Sequence, residues 1–121
     1  MATHKHGKIC YIFLPSTDPP QSGDFYRAVF GWNIRAHDDG SLAFDDTVGE
    51  VSGTFATDRA PATEGSLEVH IMVDDLDGSI EAIRGAGGLV DPAEVHRGKP
   101  RWATFSDPAG NRLAIYQHSS G

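Results

Sequence analysis

The sequence predicts an α+β fold made of two copies of one βαβββ module. Three observations lead there. Leu67 to Asp75, LEVHIMVDD, alternates so that Val69, Ile71 and Val73 lie on one side and Glu68, His70 and Met72 on the other, the period of a half-buried strand. Two helix-length segments, near Ser22 to Phe30 and near Leu76 to Ala86, each stop at glycine, at Gly31 and at Gly87 with Gly88. Sliding the chain by 57 positions sets Tyr11 on Glu68, Phe13 on His70, Asp18 on Asp75, Ser22 on Ser79, Arg27 on Arg84 and Gly31 on Gly88, so strand faces, helix start and helix stop coincide.

In order, residues 1–7 read as a frayed polar tail that carries His4 and His6. Ile9 to Leu14 reads as a strand with Cys10, Ile12 and Leu14 on one face and Tyr11 and Phe13 on the other. PSTDPPQSG is turn chemistry, with prolines against regular pairing and small polar residues able to cap a helix. The helix that follows carries Phe25, Tyr26 and Val29 as its apolar stripe. WNIRAH, SLAFDD and VSGTFAT read as three short strands separated by DDG and DTVGE turns. TDRAPATEGS has linker composition, which sets a first module at 8–57, a linker at 58–66 and a second module at 67–118. Within the second module, strands are expected near Leu89 to Val95, Arg101 to Phe105 and Arg112 to Gln117.

The totals bound the function. At 121 residues and 39% hydrophobic, the chain suffices for one domain or two small fused modules with a buried core. Ten Lys and Arg against seventeen Asp and Glu give a net charge of −7, a field that repels phosphate backbones and anionic headgroups, so neither nucleic acid nor membrane is an expected partner. No apolar run reaches the roughly 18 to 20 residues of a membrane span, and MATHKHGK lacks a signal's apolar segment; a cytoplasmic location is expected. Cys10, the single cysteine, sits in ICYIFL and is expected to be a buried, inert thiol.

FYRAVFGW, VDDLDGSIEAIRGAGG and FSDPAGNRLAIYQ, in this order and spacing, resemble the vicinal oxygen chelate superfamily of glyoxalase I, extradiol dioxygenases and bleomycin-resistance proteins. The likeness spans nearly the whole chain and is closest to small proteins related to lactoylglutathione lyase. It implies two βαβββ modules whose curved sheets form an open cleft, usually in a homodimer, sometimes with modules exchanged between chains. It also implies a divalent metal held by the modules' first and last strands. The matching positions are Tyr11, about Gly53, Glu68 and Ala114, of which only Glu68 is a competent ligand, since a neutral tyrosine binds divalent ions poorly. No cofactor is therefore expected and a metal is disfavoured, although Glu68 and His70 share a face that His96 or His118 can approach.

Without a metal, a carboxylate beside an imidazole orients the ring and raises its pKa, so Glu68 and His70 are the candidate acid and base of a lyase or isomerase; alternatively they line a wet groove or a dimer contact. Tyr11, Phe13, Trp102 and Tyr116 are the candidate substrate-binding wall for a flat small molecule, with Phe13 and Trp102 alternatively ordinary core. Arg97, Lys99 and Arg101 in HRGKPRW read as a solvated hairpin or as a reach over the cleft to an anion, and Asp107 as turn structure. The rival to an enzyme is a protein that sequesters an antibiotic or other aromatic compound.

Overall fold

Each half of the chain closes on itself by pairing its first strand with its last, in a computed structural model that describes residues 2–63, 65–98 and 100–117. The first half runs β1 (Tyr11–Pro15), α1 (Pro19–Phe30), β2 (Asn33–Ala36), β3 (Leu42–Asp45) and β4 (Ser52–Ala56). The second runs β5 (His70–Val73), α2 (Leu76–Gly85), β6 (Val95–His96), β7 (Arg101–Ser106) and β8 (Arg112–Gln117). The sheets are ordered β1-β4-β3-β2 and β5-β8-β7-β6, parallel only where first meets last. This is an α+β fold of two βαβββ modules with open sheets.

Local chemistry explains where the elements depart from expectation. The first helix starts at Pro19, earlier than the prolines suggested, because Pro19 and Pro20 occupy positions whose N–H groups have no helical partner anyway, and the Asp18 carboxylate accepts from Gln21 N at 3.2 Å. Gly31, at φ 71°, ends it in the left-handed conformation. Cys10 lies just outside β1 and is exposed, not buried, because the helix covers the sheet only from Ile12 onward. The strand expected over Leu89–Val95 is interrupted: Leu89 makes one bridge to Ser106, Asp91 then caps a 3₁₀ turn at Pro92–Glu94, and only Val95–His96 pairs again. Proline lacks the donor a continuous strand needs there.

Both helices lie on the same, covered side. Leu14, Phe25, Tyr26, Trp32, Phe44 and Phe55 merge with Leu76, Ile80, Ile83, Phe105, Leu113 and Ile115 into one core, and the Phe25 and Phe30 rings sit 6.1 and 5.9 Å from Phe105 across the halves. A buried polar joint crosses the same boundary. Tyr26 donates its hydroxyl to Asp107 Oδ2 at 2.8 Å, while Asn111 donates to the Pro15 carbonyl and its own Oδ1 accepts from Ala62 N at 2.8 Å. Asp107 is thus the turn residue the sequence suggested, accepting from Ala109 N and Asn111 N, and also the bolt between the halves. Burial, reinforced by the neighbouring carboxylate, pushes the Tyr26 phenol well above its ordinary pKa. No helix of the described residues is long and apolar enough to cross a membrane.

Candidate functional site

With the helices on one side, each sheet leaves its other face bare, and register says which residues stand on it. On the first sheet Tyr11, Ser52, Asp45 and Asn33 form one row and Phe13, Thr54, Ala43 and Arg35 the next. Ile12, Gly53, Phe44 and Ile34 form the row between them, pointing into the core. On the second sheet His70, Ala114 and Thr104 form one row, and Met72, Tyr116, Trp102 and His96 another.

The first face is aromatic with fixed charges at its edges. Tyr11 and Phe13 are 46% and 53% exposed and meet edge to face at 5.6 Å, so Phe13 is no core residue. Arg59, from the segment after β4, holds its guanidinium 4.7 Å from the Phe13 ring centroid. Asp45 takes two hydrogen bonds from Arg35 at 2.9 Å and further ones from Ser52 and Asn33. Those bonds, Arg35 first and Ser52 next, hold its carboxyl well below the usual range.

The second face carries the acid and imidazole. His70 Nε2 lies 2.8 Å from Glu68 Oε1, with both side chains partly exposed, and the His70 ring is 5.9 Å from Trp102. Trp102 is half-buried, its other neighbour being His96, stacked at 4.1 Å and 14°. Glu94 joins this face by accepting from Thr104 at 3.3 Å and pairing with Arg112 at 3.1 Å. Glu68 and Arg112 share a small hollow of about 80 Å³ with Thr63, Gly65, Ser66 and Leu67. Ala114 is buried between these side chains, and Tyr116 shares its face.

Sequence reasoning therefore brought Glu68 to His70, Tyr11 to Phe13, and Trp102 to Tyr116, on two separate sheets. It missed Arg35, Asp45, Arg59, Glu94 and Arg112. Alternation in NIRA and LAFD was the available signal for Arg35 and Asp45; Arg59, in a stretch without period, had none. Arg97 and Arg101 do not reach over an open face: both pair with Asp77 in the first turn of α2, on the helix side. A larger hollow of about 500 Å³ lies on that side too, between α2 and β6, away from Glu68 and His70. Lys99 and His118 lie outside the described residues.

A divalent metal does not fit this donor set. Of the positions the family resemblance pointed to, Gly53 faces the core rather than the open side, and its neighbour in the Tyr11 row is Ser52. Tyr11, Ser52, Glu68 and Ala114 offer one carboxylate between them, and among the described residues no three His, Cys, Asp or Glu converge.

Comparison with known proteins agrees with the architecture. A glyoxalase-like domain family matches residues 11–116. A glyoxylase-like domain-containing protein of Didymella fabae is 30% identical over 119 residues, 91% of this chain and 93% of that protein. Among solved structures, a glyoxalase/bleomycin resistance protein from Albidiferax ferrireducens superposes with TM-score 0.72 at 18% identity, covering 92% of this chain and 98% of that one. An antibiotic-binding protein from a Streptomyces species superposes with TM-score 0.70 at 24% identity, covering 96% and 100%. With a family match running from the first strand to the last, this chain belongs to the glyoxalase-like domain family of the vicinal oxygen chelate superfamily.

Proposed function

We propose that this chain is a metal-independent small-molecule binding protein that holds a flat aromatic ligand, unaltered, against the open faces of its sheets. The observation that carries the reading is the half-exposed Tyr11 and Phe13 pair, projecting from a strand whose other side is core. Exposed aromatic surface of this kind, edged by a few polar groups, suits a ring system better than a small hydrophilic substrate. The antibiotic-binding protein that shares the fold supports the same reading. Since both open faces are bare in a single chain, we place the ligand at a homodimer cleft in which a second copy covers them, within the cytoplasm. Thermal-shift screening of aromatic compounds, followed by recovery of the bound compound, tests it: the ligand returns chemically intact at one per chain, and Phe13→Ala abolishes the shift. Recovery of a product instead would refute sequestration.

A second reading rests on the 2.8 Å contact between Glu68 and His70. Glu68 engages Nε2, so a neutral His70 keeps its proton there and presents the Nδ1 lone pair as a base. That arrangement serves proton transfer of lyase or isomerase type, with Glu68 orienting and His70 abstracting. Turnover unaffected by His70→Ala on any identified substrate removes it.

A further inference from the structure

From the guanidinium that sits over the Phe13 ring we infer that the aromatic ligand is an anion, a flat ring system bearing a carboxylate, sulfonate or ionised phenol, and that Arg59 selects it. The inference rests on the binding reading above and adds the ligand's charge. Arg59 sits 4.7 Å from the centroid of a ring that is itself half exposed, so its planar head stands beside the surface a ligand would cover. Its partner Asp58 is the preceding residue in the chain and largely solvent-exposed, a pair that holds the guanidinium weakly and leaves donors for a ligand's anionic group. Arg35, the other cation on this face, is committed to Asp45 through both of its hydrogen bonds and cannot play that part. The chain's net charge of −7 repels anions at long range, so a preference for them has to arise from a local cation such as this one.

Two probes that differ only in charge separate the possibilities: 8-anilinonaphthalene-1-sulfonate and its neutral parent, N-phenyl-1-naphthylamine, titrated by fluorescence against the full chain. The anion is expected to bind about tenfold more tightly, the gain of a charge-assisted contact, and Arg59→Gln to erase that preference while leaving the neutral probe within about threefold. Arg27→Gln, on the exposed side of α1 and paired with Asp24, is the charge control and should leave the preference intact. Equal affinity for the two probes, or a preference that survives Arg59→Gln, overturns the inference while leaving aromatic binding standing. Absence of saturable binding by either probe overturns the binding reading itself, and this inference with it.

Discussion

Tyr26→Phe is the sharpest test of how the two halves are held in register. The substitution keeps the ring, which stacks on Trp32 at 4.5 Å and 12°, and deletes only the hydroxyl that reaches Asp107 at 2.8 Å. A hydrogen bond to a charged acceptor contributes about 1.5–3 kcal/mol, and the carboxylate here keeps its donors from Ala109 N, Asn111 N and Asn111 Nδ2, so the loss falls near 2 kcal/mol. With about 2.1 cal/mol/K of unfolding entropy per residue, 121 residues give about 0.25 kcal/mol/K, and the melting temperature should drop by about 8 °C. Circular dichroism melts with a parallel urea titration measure it. The same variant carries a pH signature. Because the folded phenol is raised above its ordinary value, its contribution is complete below about pH 10 and is lost as pH climbs towards the folded value; the Phe variant lacks that alkaline loss. A melting temperature within about 2 °C of wild type would show that the joint does not hold the halves together.

Three further outcomes follow from side-chain geometry. Asp45 is held below the usual carboxylate range by Arg35, Ser52 and Asn33, so its contribution is present above about pH 4 and lost as pH falls below that; Asp45→Asn should flatten the acid limb of a urea-stability profile between about pH 5 and pH 2. Gly53→Ala puts a methyl group into the Phe44 ring and the Ile12 carbonyl and should cost more than about 2 kcal/mol by denaturant titration. Gly85→Ala, in the last turn of α2 with nothing near its added carbon, should instead stabilise by about 0.5–1 kcal/mol.

The fold was legible because its signals are local and repeated. Alternation at Val69, Ile71 and Val73 and glycine stops at Gly31 and at Gly87 with Gly88 are written in short windows, and the offset of 57 residues sets Gly31 on Gly88. The offset failed where the repeat gained residues. Phe13 pairs with Thr54 while His70 pairs with Ala114, so the first strands are 57 apart and the last strands 60, and one offset does not serve both; Gly53, the position the family resemblance pointed to, fell between Ser52 and Thr54 in the inward row. One residue of slip turns a strand position from one face to the other. Arg59 was illegible for a different reason. It acts through a long side chain that folds back from a segment without period onto Phe13, a contact that only the three-dimensional path of the chain creates.

The two modules keep a common core while their open faces carry opposite chemistry, and the division follows from the architecture. Residues on the helix side must satisfy both halves at once, since Phe25 and Phe30 pack on Phe105 and Tyr26 bonds Asp107, so a change there is felt across the whole molecule. Residues on the open side answer only to their own sheet. Tyr11, Phe13 and Arg59 can therefore form an aromatic, cation-edged surface on one module while Glu68, His70 and Glu94 form an acidic, imidazole-bearing surface on the other, at little cost to the fold. A cleft bringing one face of each kind together would offer an anionic aromatic ligand a cation and a stacking surface on one wall, while the carboxylates of the other wall would repel its anionic group and turn it towards Arg59. Metal coordination, by contrast, needs several donors to converge on one point, and among the described residues no three His, Cys, Asp or Glu do.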